Sequence, residues 1–148
     1  MMTLRISVLL PLLVLFPLGL WAKLEIAEVK RDKPVDFQEE ILPILRANCL
    51  ACHNRTRSKG EVIMETPDDI RKGNEGGPFV EPGNAEDSFL FQVAAHSEDP
   101  IMPPAKNKVD AKNLTPAELG LLKLWIDQGA KGTLRARLPV TWQQYQHP

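Results

Sequence analysis

The hydrophobic pattern divides the chain into an apolar leader, a charged stretch and a region of helical periodicity. Met1 to Ala22 starts with the basic Arg5 and continues from Ile6 to Trp21 as a mainly apolar run containing Pro11 and Pro17. This reads as an export signal. The run exceeds the usual signal core of about 7–15 residues and falls short of a comfortable span of about 20. Cleavage and retention as a membrane anchor therefore both stand as expectations for residues 1–22. Residues 23–35 are charged and without a period. They read as a linker that lifts the following domain away from the membrane or cleavage site.

From Asp36 the pattern becomes helical. Asp36 offers a side-chain oxygen as N-cap, Glu39 stands three residues on as in a capping box, and Phe37, Ile41, Ile44 and Leu45 share one face. The first helix is expected from about Phe37 into the segment Cys49 to His53, kinked where Pro43 removes a backbone donor. Thr66-Pro67-Asp68-Asp69 predicts a short helix with a cap, a first-turn proline and an acidic first turn, ended by Gly73. A third helix is expected over Ala85 to His96. The last has Thr115 as cap, Pro116 at the first position and Glu118 closing a capping box. Leu119, Leu122, Trp125 and Ile126 form its face, Leu121 and Leu124 widen it, and Gly129 terminates it. That breadth predicts a largely buried helix crossing the first one. Residues 133–148, with Arg135, Arg137, Trp142 and Tyr145, show no period and take no role.

Length and composition narrow what these helices enclose. A chain of 148 residues suits one domain, here over 36–132, and thirteen prolines with nine glycines predict long, shaped loops. The formal net charge is −1 with no basic stripe, so nucleic acid is not an expected partner. The glycines of Gly76-Gly77-Pro78 and Pro82-Gly83 lack the Lys-Ser/Thr and the spacing of phosphate or dinucleotide cradles. They read as a loop wrapped around a prosthetic group.

The only two cysteines fall in Cys49-Leu50-Ala51-Cys52-His53. Two thiols at this spacing can each add across a vinyl group of a porphyrin, and the histidine after the second faces the iron, so the pattern reads as attachment of one haem c. A redox dithiol wants a βαβ setting that these helical flanks do not offer. A structural zinc site needs four ligands, and the remaining histidines, His96 and His147, are distant. Export agrees with haem attachment, since two cysteines outside the cytoplasm otherwise predict a disulfide.

For the sixth ligand the stretch Asp99-Pro100-Ile101-Met102-Pro103-Pro104 is the strongest source. A thioether opposite histidine raises the reduction potential, and prolines on both sides stiffen the loop that carries it. Met64 reads as core. His96 is the rival ligand, and its bland role is to complement a helix C-terminus. Lys106, Lys108 and Lys112 follow the methionine, but with Asp110 among them they read as a solvated loop.

Taken together, Val35-Asp36-Phe37, Cys49 to His53, Glu65-Thr66-Pro67, Val80-Glu81-Pro82-Gly83, Ala94-Ala95-His96, Met102-Pro103-Pro104, Leu114-Thr115-Pro116 and Leu122 to Ala130 carry a resemblance. The sequence resembles the planctomycete-type c-type cytochrome domain. The resemblance implies an all-α, class I cytochrome c-like helical domain wrapped around one covalent haem, with His53 and Met102 as axial ligands. Such domains are usually joined to larger partners, and here the chain stops shortly after Ala130, which implies a separate redox partner protein. A Gly-Pro pair soon after the haem histidine often supplies a carbonyl to its ring, whereas Gly77-Pro78 lies far downstream and leaves that contact open. Three functions stand: an exported one-electron carrier, periplasmic or on the outer face of the membrane; a haem sensor or peroxidase-like enzyme using an open iron position or His96; and a haem-bearing interaction module at a cell surface. The closed ligand set favours the carrier over an enzyme.

Overall fold

A computed structural model describes residues 23–132; the leader and the tail lie outside the described residues. All regular elements among them are helical. A π-helical turn, Phe37–Ile41, runs into α1, Leu42–Asn48, and is followed by a 3-10 turn Lys59–Glu61. Then come α2, Pro67–Lys72, α3, Phe89–Ala94, and α4, Pro116–Asp127.

The kink expected at Pro43 takes the form of the wide π turn just before it. Proline at the second position of α1 has no N–H to return to the preceding turn, and the chain opens there instead. The wider turn also changes the cap. Asp36 accepts from the N–H groups of Gln38 and Glu39 as foreseen, but the carboxylate that returns to the Asp36 N–H is that of Glu40, at 2.8 Å. The same carboxylate takes two bonds from Arg31, at 2.7 and 2.8 Å.

The α2 and α4 expectations hold to the residue at their starts. Thr66 Oγ1 accepts from Asp69 N–H at 3.0 Å, and the Thr115–Glu118 capping box is closed in both directions. α4 ends where the Gly129 N–H donates to Ile126 C=O at 2.8 Å and the Ala130 N–H to Trp125 C=O at 2.9 Å, with Gly129 at φ 98°. α3 is shorter than expected. Asn84 to Asp87 form a turn, and the Ser88 hydroxyl donates to Asn84 C=O at 2.7 Å, so the helix begins at Phe89 instead of Ala85. It stops at Ala94 because His96 takes a left-handed φ of 58° while the Ser97 N–H donates to Gln92 C=O at 2.9 Å.

The core centres on α4. Leu119, Leu122, Trp125 and Ile126 are buried against Phe37, Ile41 and Leu45, and the Phe37 and Trp125 rings sit 5.5 Å apart with a 40° tilt. Burial of such side chains contributes about 1.5–3 kcal/mol each, and the Val35 N–H adds a bond to Gln128 Oε1 at 2.8 Å between the same two ends of the domain. The Trp125 indole N–H is satisfied by Lys131 C=O at 2.7 Å. Leu121 and Leu124 are partly buried, as the broad apolar face implies.

Residues 23–31 do not form a free spacer. Leu24 and Ile26 are packed on the core, and the N–H groups of Leu24 and Ala27 donate to Ala95 and Pro116 C=O at 2.9 Å each. The stretch is a strap laid across the C-terminal end of α3 and the start of α4. The stretch differs from the expected linker because, although it has no period, its apolar Leu24 and Ile26 gain by leaving water and its backbone donors meet carbonyls of the domain.

Candidate haem site

The pentapeptide begins where α1 ends. The N–H groups of Cys49 and Leu50 both donate to Leu45 C=O, at 2.7 and 2.9 Å, and the Cys52 and His53 N–H groups then donate to Cys49 C=O at 3.1 and 3.0 Å. This turn holds the two thiols and the imidazole on one short, backbone-bonded segment. Asn54 tightens the exit: its Oδ1 accepts from the N–H groups of Thr56 and Arg57 at 2.8 and 2.7 Å, and its Nδ2 donates to Leu50 C=O at 2.6 Å. Arg55 then bonds the buried Glu65 at 2.6 Å and Asp69 at 2.8 Å, which ties the loop after His53 to the start of α2.

Beside this segment lies a cavity of about 880 Å³ lined by Cys52, His53 and Met102 among others. That is within the range of small-molecule and cofactor sites, about 300–1,000 Å³. An adjoining space of about 110 Å³ is lined by Cys49, Cys52, His53, Met64 and Met102. Of the sequence-predicted residues, the structure brings together Cys49, Cys52, His53 and Met102. His96 lines neither space. Met64 is buried as expected, and its N–H donates to His53 C=O at 3.1 Å.

The loop that carries Met102 is pinned at both ends. The Met102 N–H donates to Val93 C=O at 3.0 Å, and both Asp99–Pro100 and Met102–Pro103 are cis. Downstream, Asn107 Nδ2 donates to the Pro104 and Ala111 carbonyls at 3.0 and 2.9 Å, and its Oδ1 accepts from the Val109 and Ala111 N–H groups at 3.2 and 2.9 Å. Sequence reasoning missed Asn107. Its signal is an asparagine between the proline cluster and Asp110, the type of residue that bonds its own turn.

The donors are in the forms a haem site requires. Burial lowers the pKa of His53, and the nearby charge of Lys59 adds to this while the Lys59 and Val62 carbonyls oppose it. The imidazole is therefore neutral and able to offer a lone pair. Burial pushes the Cys49 thiol up to about 12, with Cys52 and Glu118 adding to it, so it stands as a thiol. Two observations fit a macrocycle here. His53 Nδ1 is buried with no hydrogen-bond partner among the described residues. The large apolar side chains that are exposed among the described residues, Phe89 and Val109, both line the cavity. A group bound in the cavity would cover both.

The side chains lining this space thus include two thiols, an imidazole and a thioether, groups that c-type cytochromes in general use to hold haem. Residues 49–106 match the model of the planctomycete cytochrome C family, the family whose motifs the sequence resembles. That segment holds the Cys-x-x-Cys-His residues and Met102, and the family implies covalently bound haem c. Among solved structures, Kuenenia stuttgartiensis hydrazine synthase is similar at 22% identity and a TM-score of 0.45, covering 68% of this chain and 17% of that one. This chain thus spans a small part of that protein's length. No curated protein matches the chain.

Proposed function

We propose that the protein is an exported monohaem c-type cytochrome that carries single electrons, with His53 and Met102 as axial ligands. The observation that carries this reading is that His53 and Met102 line the same cavity as the two cysteines, whereas His96 does not. When bound, the haem supplies one-electron chemistry at its iron. The chain's own part would be to hold it by Cys49 and Cys52, to present the imidazole of His53 and the thioether of Met102, and to keep water out with Phe89, Val109 and the proline loop. A methionine held at Val93 by its own N–H leaves little freedom for an open sixth position, which favours a carrier over a peroxidase or sensor. Its redox partner is a protein outside the cytoplasm.

The test is the spectrum of the oxidised, purified holoprotein. The weak red absorption band of a methionine–iron bond is expected in the wild type and absent from Met102→Ala, whose potential falls while its haem stays covalently bound. A wild type without the band, or strong peroxide-dependent dye oxidation by it, rejects the carrier reading.

A further inference from the structure

We infer that the outer part of the cavity is a clamp for the two carboxylates of the porphyrin, formed by Arg57 and Lys59 after His53 and by Lys106 and Lys108 after Met102. This rests on the haem reading above. The two ends of the site differ in charge. The inner space holds both cysteines and is lined by no charged side chain apart from the titratable His53. The outer cavity adds these four cations and no carboxylate. In a chain with 19 acidic and 18 basic residues, four cations and no anion on one surface is an uneven placement of charge.

Local ion pairing sharpens the point. None of the four forms an ion pair among the described residues, while their neighbours do: Arg55 is taken by Glu65 and Asp69, and Lys112 by Asp110. Lys112 does not line the cavity. The expectation of a merely solvated lysine loop thus applies to Lys112 and not to Lys106 and Lys108. The backbones beneath the cations are fixed. The Arg57 N–H is held by Asn54 at 2.7 Å, the Lys59 N–H by Cys52 C=O at 3.1 Å, and Asn107 locks the turn between Lys106 and Lys108.

Cys49 lines the inner space alone and Cys52 lines both, so thioethers to this pair would hold the vinyl edge of the porphyrin towards the uncharged end. Its acid-bearing edge then points to the cations, where charge-assisted hydrogen bonds are stronger than neutral ones. Arginine offers a planar fork for a carboxylate and lysine a point charge.

The experiment uses the full holoprotein with Arg57→Gln, Lys59→Gln, Lys106→Gln, Lys108→Gln, the fourfold variant, and Lys72→Gln as an exposed cation away from the cavity. Two quantities are read: the resonance Raman propionate bending band, which reports hydrogen bonding to the carboxylates, and the equilibrium midpoint potential. At least one variant from each segment is expected to shift the band and lower the midpoint, because losing a cation favours the more positive ferric state. Lys72→Gln is expected to move neither. A band unmoved even in the fourfold variant overturns the clamp, and a slower reaction with an acidic protein in that case assigns the cations to docking. Absence of covalent haem from the wild type, read as its pyridine haemochrome, overturns the haem reading itself.

Discussion

The carbonyl oxygen of Ala27 lies 2.1 Å from where a Cβ on Gly120 would stand. Gly120 is inside α4, where alanine ordinarily stabilises a helix by about 1 kcal/mol over glycine. The strap reverses that sign. Gly120→Ala is expected to destabilise the domain by on the order of 2 kcal/mol through overpacking against backbone, measured by urea unfolding. In a chain truncated before Arg31 the same substitution is expected to become neutral or stabilising. A loss of equal size in both backgrounds would show that the strap is not what Gly120 accommodates.

The Arg31–Glu40 pair makes the strap's other end sensitive to acid. The guanidinium of Arg31, and then the Asp36 N–H, hold the Glu40 carboxyl down at about 2. A carboxyl lowered on folding contributes stability above its unfolded pKa and loses it as pH falls through the folded one. The loss is expected between pH about 5 and about 2. Glu40→Gln should flatten that part of the stability profile while lowering stability at neutral pH. An acid limb identical to the wild type's would place the sensitive carboxylates elsewhere.

The helix starts were legible because they are local. Thr66-Pro67 and Thr115-Pro116 carry their caps within four residues, and both helices begin where these residues say. The Cys49-x-x-Cys52-His53 pattern was visible for the same reason, since it falls within five residues. What the sequence hid was non-local or depended on geometry. The close approach of the strap at Ala27 and Val29 depends on a space that exists only once α4 places Gly120 against them. Glu40 replaces Glu39 at the cap because the turn after Asp36 is π-helical, which moves the returning side chain by one position. Asn107 was hidden by the charged residues around it, since its four bonds are to backbone groups of its own loop.

Asn107→Ala tests that loop. Four hydrogen bonds are lost at once, each worth about 1 kcal/mol net, and the segment between Pro104 and Ala111 is expected to loosen while α1 and α4 stay intact. In the holoprotein, the methionine band should weaken or become temperature-dependent without loss of covalent haem. Unchanged band intensity up to the unfolding transition would mean that the Met102–Val93 bond alone holds the sulfur.

Removing the cysteines separates the two halves of the core. Phe37, Ile41, Leu45, Leu119, Leu122, Trp125 and Ile126 are buried and line neither part of the cavity. Met64, Phe79, Leu90 and Leu114 are buried as well, but they form the cavity wall. The first group keeps its contacts without a porphyrin, whereas the second faces a space that water enters, and apolar burial there is lost at roughly 25 cal/mol per Å². Cys49→Ser with Cys52→Ser is therefore expected to give a haem-free chain that unfolds locally. Hydrogen exchange should find the α4 amides protected and those of 59–62 and 97–111 exchanging nearly as fast as in an unfolded chain. Uniform loss of protection across α1 and α4 would instead show that the cavity wall and the α4 core fold as one unit.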